Sequence, residues 1–249
     1  MFAQSASLPD SGAEGSALLR LAFFGITTLL ALLFIAGVYW SSIRTGIARS
    51  TAVRHAAVAA LASGAWIAVT AVTARRGVLT FDGTPPTMIL LLLVTLALVI
   101  GVAASSLGRR LALGVPVAAL VAYQGFRVLV ELAMHRAYNE GLMPVQMSYS
   151  GRNFDIISGV TALVVGFWLA TGDRRNWRPL VFTWNTLGVV LLLNILVVAL
   201  LSAPTKFRVF MNEPANTWIT SAPWVWLPTV MVFAALLGHL LVYRRLRTA

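Results

Sequence analysis

The sequence predicts an all-α, polytopic integral membrane protein with seven transmembrane helices, its N-terminus outside and its C-terminus cytoplasmic. Three observations lead there. Of 249 residues, 59% are hydrophobic and only 11% charged, against roughly 25% charged in a soluble domain. The apolar residues gather in blocks long enough to cross a bilayer, which takes about 20 residues. The basic residues lie almost wholly in the short connections between blocks.

Residues 1–17, beginning MFAQSASLPDSGAEGS, are polar and contain Asp10 and Glu14. They lack the basic region of a signal peptide and read as a disordered tail ahead of a transmembrane domain over 18–249. The apolar blocks fall at 18–40, 55–74, 86–106, 112–139, 154–172, 179–202 and 223–243. The first is too long for a signal-peptide core and reads as a retained helix. The second is crowded with Ala56, Ala57, Ala59, Ala60, Ala62, Gly64 and Ala65, a surface that lets helices approach closely. The fourth should end at Gly141 and Pro144, a C-cap glycine followed by a stop. Asn153 and Asp155 suit the N-cap and first turn of the fifth. In the sixth, Asn185 and Asn194 face opposite ways. His239 in the seventh reads as a packing or interfacial histidine. Trp40, Trp177, Trp218, Trp224 and Trp226 fall near block edges, where an amphipathic ring is comfortable. No internal repeat is visible, and an odd number of spans disfavours a simple inverted-repeat transporter.

Orientation follows from the arginines. One set of loops holds Arg44, Arg49, Arg54, Arg109, Arg110, Arg174, Arg175, Arg178, Arg244, Arg245 and Arg247. The other holds Arg20, Arg75, Arg76, Arg136, Arg152, Lys206 and Arg208. The richer set belongs in the cytoplasm.

Several functions are set aside. The net charge of +11 reflects membrane topology rather than a basic face, so nucleic acid is not an expected partner. There is no cysteine, hence neither disulfide nor thiolate metal site. No HExxH, GxSxG or Walker pattern occurs. The single lysine, Lys206, lies in a loop, which excludes a retinal Schiff base in the last span. His55 and His239 lie toward the cytoplasmic side and His135 toward the outside, so the three cannot meet on one zinc. A copper site from His135, Met143, Met147 and Met211 is chemically sensible but less favoured than no metal. The sequence leaves any cofactor unidentified.

The unusual feature is FRVLVELAMHRAYNEGLMPVQMSYSGRNFD, residues 126–155. At 100° per residue, Gln124, Arg127, Glu131, His135 and Tyr138 share one helix face, with Asn139 beside them. Arg127 should lie near mid-membrane and His135 near the outer surface. A charged side chain at a helix centre costs about 2.5–3.5 kcal/mol, so these groups must face protein or water. An Arg127–Glu131 pair holding helices together would offset much of that cost. A polar cavity open to the outside is the alternative, favoured because five polar groups continue in line to the surface. The following loop adds Gln146, Arg152 and Asn153, and Asp155 either caps the fifth helix or turns to the stripe, pairing with Arg152 or His135. The loop 203–223 could lie over the outer mouth as a lid.

These residues, with FMNEPANTW and APWVWLP downstream, resemble a family of uncharacterised bacterial polytopic inner-membrane proteins marked by FRxxVELxxHxxYxxGxxPxQMxxxGRNxD. The likeness covers roughly the C-terminal half. It implies a multi-pass inner-membrane location and groups Arg127, Glu131, His135, Gln146, Gly151, Arg152, Asn153 and Asp155 in one motif. It implies no activity.

The expected function is binding, with translocation an open extension, of a small polar or anionic ligand or of protons in an outward-facing pocket. Gln124, Arg127, Glu131, His135, Tyr138, Asn139, Gln146, Arg152, Asn153 and Asp155 would line it. The alternatives are an enzyme on a lipid-linked substrate, with His135 as base oriented by Glu131 or Asp155, and a non-catalytic scaffold or assembly subunit. Partners are the lipid bilayer and a small-molecule or lipid ligand.

Overall fold

A computed structural model describes residues 15–172 and 177–248. The tail expected at 1–17 falls mostly outside the described residues, as do Arg174 and Arg175.

Among the described residues the regular structure is all helical, with no strand. Helix α1, Ala17–Arg44, starts at Ser16, whose hydroxyl accepts from the Leu19 amide at 3.2 Å, a side-chain N-cap. Helix α2, Arg49–Arg75, packs along α1. Helix α3 is Thr87–Ala104 and α4 is Ser106–Gly114. The fourth span does not begin at 112 as expected. Pro116 has no amide hydrogen to donate into a continuing helix, so α4 stops and a new helix starts at Val117. This span comprises α5 (Val117–Ala122), a 3₁₀ turn at Tyr123–Gly125, and α6 (Phe126–Asn139). Helix α7 is Ile156–Thr171 and α8 is Trp177–Ser202. A π-helical turn, Leu227–Met231, leads into α9, Val232–Thr248. Six helical segments are long and apolar enough to cross a membrane; α7, with 16 residues, is shorter.

Side chains tie the helix ends into two groups. At one end of the molecule the Ser16 amide and hydroxyl donate to the Glu140 carboxylate at 2.7 and 2.6 Å, joining the start of α1 to the end of α6. At the other end, Arg244 donates to the Ser105 carbonyl at 2.9 Å, Arg245 to Leu113 at 2.9 Å and Arg178 to Leu246 at 2.5 Å. The Leu113 and Leu246 carbonyls belong to the last turns of α4 and α9, where helix termini leave carbonyls without partners, whereas the Ser105 carbonyl also accepts the Arg109 amide at 3.1 Å.

The tryptophans correct an expectation. Trp40 is 54% exposed, as an interfacial ring would be, but Trp218, Trp224 and Trp226 are buried. Phe23 of α1 meets Trp224 edge-on at 4.8 Å and Trp218 at 5.8 Å, and Phe24 meets Trp226 at 4.9 Å. The loop before α9 folds back on α1, so these rings pack against protein rather than standing exposed as a lipid-facing belt.

Glycines set how closely α7 approaches its neighbours. A Cβ on Gly159 would stand 2.8 Å from the Val128 amide nitrogen, and one on Gly166 would stand 2.7 Å from the Ala122 Cβ. Helix α7 therefore runs antiparallel to α6 and α5 and begins about level with Glu131, half-way along α6. Residues 140–155 must first travel back along α6 without helical structure, apart from one 3₁₀ turn at Val145–Met147.

Candidate functional site

Helix α6 ends as its sequence predicts. Gly141 takes φ +71°, the Leu142 amide donates to the Ala137 carbonyl and the Gly141 amide to Tyr138, a glycine-terminated C-cap. From there the chain descends beside the polar stripe, and each stripe residue finds its partner in turn. His135 Nδ1 lies 2.9 Å from the Ser148 hydroxyl, and its ring stacks on Tyr149 at 4.3 Å. One turn deeper on α6, Asn153 Nδ2 donates to the Glu131 carboxylate at 2.7 Å and to the Met147 carbonyl at 3.0 Å. One turn deeper again, Arg127 Nε donates to Asp155 Oδ2 at 2.7 Å, and its Nη2 makes a short ion pair with Oδ1.

The ion pair is thus Arg127–Asp155, not the expected Arg127–Glu131. The Asp155 carboxylate, across from the guanidinium, presents both oxygens to its fork. Asp155 gives no side-chain cap to α7. Asn153 Oδ1 instead accepts the Asp155 amide at 3.1 Å, holding the carboxylate in place. Neither Glu131 nor Asp155 orients His135; Ser148 does, with Ser150 at 3.3 Å.

Arg127 is 2% exposed and has a further partner the sequence did not suggest. Its Nη1 lies 2.8 Å from His239 Nε2, and His239 Nδ1 lies 2.8 Å from Asn185 Oδ1. Asn185 also donates to the His239 carbonyl at 3.2 Å. His239 is fully buried rather than interfacial. Space for its ring comes from Gly188, where a Cβ would fall 2.5 Å from His239 Cε1. Asn185 and Asn194 do face different groups: Asn194 donates to the Arg152 carbonyl at 2.7 Å. An i, i+4 spacing exposes one helix's stripe to view; partners brought from α8 and α9 leave no such mark.

The other expected residues separate. Gln124 is buried and donates to the Ala235 carbonyl at 2.9 Å, serving α9 packing. Asn139 is exposed and Tyr138 half-buried at the edge. Exposed Arg152 lies over the Phe210 ring at 5.3 Å. Gln146 donates to the Ser202 hydroxyl at 2.8 Å and accepts from Asn212 at 2.9 Å, so the loops 140–153 and 203–223 are bonded to each other. Met143 and Met147 are core residues, whereas Met211 is exposed.

Beside this network lies a cavity of about 70 Å³, walled by Arg127, Glu131, Asp155 and Asn216 among apolar residues such as Met134, Met147 and Leu192. It has room for a few waters, each needing roughly 10–15 Å³ of such space. The Asn216 side-chain oxygen is buried with no hydrogen-bond partner among the described residues, while its Nδ2 donates to the Ala199 carbonyl at 3.0 Å.

Outside the spans, burial pushes the Glu140 carboxyl up, but hydrogen bonds from Arg136 and Ser16 outweigh it and hold the group below its ordinary value. Bonding to Arg208 holds Glu213, on the 203–223 loop, below its ordinary value as well.

Residues 84–247 match the family model of a domain of unknown function, DUF8737. The chain belongs to that family. The DUF8737 match takes in α3 through nearly all of α9, and so every residue of the network and the small cavity; α1 and α2 precede it. No curated protein and no solved structure matches the chain.

Proposed function

We propose that this DUF8737 protein binds a proton, or a small hydrogen-bond donor carrying one, at Glu131. Arg127, Asp155, His239 and Asn185 form a fixed electrostatic frame beneath it. One observation carries the reading: on the cavity wall, Glu131 and the unpartnered Asn216 oxygen are both acceptors, while the adjacent guanidinium is already matched by Asp155. A site offering acceptors selects a donor, and its size limits the occupant to water, hydronium or something comparable. An anion would meet a carboxylate and a neutralised arginine. Such groups inside a membrane are functional candidates by default.

In this reading the chain crosses a bacterial inner membrane seven times. Helix α7, about 24 Å long, is shorter than the roughly 30 Å hydrocarbon core. The non-helical segment 140–155 makes up the difference, tolerated because protein covers it. The face carrying Arg109, Arg110 and the C-terminus is cytoplasmic, and the bonded loops 140–153 and 203–223 cover the site from the periplasm.

Infrared difference spectroscopy of the protein in nanodiscs tests the site. The expected result is a carboxyl band that responds to bulk pH and to exchange into deuterated water, and that is missing in Glu131→Gln. A spectrum in which Glu131→Gln removes no responsive band overturns the proposal.

A further inference from the structure

A second, larger cavity of about 570 Å³ lies between α1, α2, α3 and α9 and shares no wall residue with the cavity at Glu131. Its walls are apolar over most of their length, including Phe34, Val58, Leu98 and Phe233. Val58, Val69 and Leu98 are exposed wall residues, so the cavity is a groove open to whatever surrounds the helices. Small side chains keep it open: Ala59, Ala62 and Ser63 of α2 face it. The alanine-rich surface that promises close helix contact in the sequence is thus partly given over to this hollow.

One end is different. His55, near the start of α2, and Arg110 of α4 close the groove at the arginine-rich face. Three other arginines of that face, Arg178, Arg244 and Arg245, donate to main-chain carbonyls. Arg110 makes no such bond among the described residues; its Nε, like that of Arg245, is buried without a partner, but only Arg110 lines the groove. A buried donor of this kind calls for an acceptor from outside the chain.

We propose that the groove holds one acyl chain of an anionic phospholipid, whose head-group phosphate is bound by Arg110 beside His55. The dimensions agree. His55 to Val69 spans about 21 Å along α2, enough for a chain that fills one leaflet of about 15 Å and its glycerol linkage. The chemistry agrees as well, since a guanidinium fork matches phosphate oxygens. A helix from a second copy would fill the apolar part but bring no anion to Arg110.

Native mass spectrometry of the full chain, released from nanodiscs of equal phosphatidylglycerol and phosphatidylcholine with identical oleoyl chains, tests this. The expected result is one retained phosphatidylglycerol per chain. Arg110→Gln should cut the preference for phosphatidylglycerol over phosphatidylcholine about tenfold, or about 1.4 kcal/mol. Ala62→Trp, a change at an exposed groove position, should remove the retained lipid of either kind while circular dichroism shows the helices intact. Equal retention of both lipids by the parent protein overturns the proposal. So does a phosphatidylglycerol preference that survives Arg110→Gln, lipid retained by Ala62→Trp, or a lipid-free dimer.

Discussion

Arg127 and Asp155 show what a buried charge demands of its surroundings. The guanidinium meets a carboxylate at two of its nitrogens and an imidazole at the third, so little of its desolvation is left uncompensated. Removing one partner exposes that cost in full. Asp155→Asn should destabilise the protein by about 3–5 kcal/mol, measured by reversible unfolding in mixed micelles. The double variant Arg127→Met with Asp155→Leu should recover most of that loss, because an apolar pair of similar size carries no desolvation penalty. A double variant no more stable than Asp155→Asn alone would count against a mainly electrostatic origin. Glu131 differs, since its partner is the neutral Asn153 amide. Glutamine keeps an oxygen there to accept that bond, so Glu131→Gln should change stability by less than about 1 kcal/mol. A larger loss in the same unfolding assay would give Glu131 a structural role instead of the proposed one.

At the level of elements, the pairing of α6 with the returning segment and α7 depends on how near the backbones come. Gly159 has the Val128 amide nitrogen directly opposite, and backbone cannot step aside as a flexible side chain can. Gly159→Ala should therefore cost about 1–3 kcal/mol or more and separate Asp155 from Arg127. Thermal unfolding in nanodiscs reads the first effect and hydrogen exchange at the start of α7 the second. At the far end of α6, Glu140 holds the first turn of α1 through Ser16. Its carboxyl lies below the ordinary value when folded. The stability it contributes is present above that ordinary value and is lost as pH falls through the lowered one. Amide exchange in the first turn of α1 should accelerate over that acidic window, and Glu140→Gln should abolish the dependence. Exchange unaffected by acid would show that other contacts hold α1.

For the whole molecule, the absence of cysteine makes topology directly testable. Single cysteines at Ser150 and Thr205 should react with a membrane-impermeant maleimide added to intact spheroplasts, and cysteines at Thr45 and Thr248 only after lysis. Labelling of all four before lysis, or the reverse pattern, would contradict the orientation. The sequence by itself determined the class of protein, the placement of the long apolar helices within a few residues, the glycine-terminated end of α6 and the stripe of Arg127, Glu131 and His135. Each depends on the local period of one helix or on composition, which a linear chain displays. Tertiary structure alone decided the partners. Asp155 rather than Glu131 meets Arg127 because α7 starts half-way down α6. His239 and Asn185 join because Gly188 leaves room for an imidazole. Trp218, Trp224 and Trp226 are buried in protein because the loop before α9 folds onto Phe23 and Phe24. Distances between helices far apart in the chain are fixed by packing, and no periodicity along one segment records them.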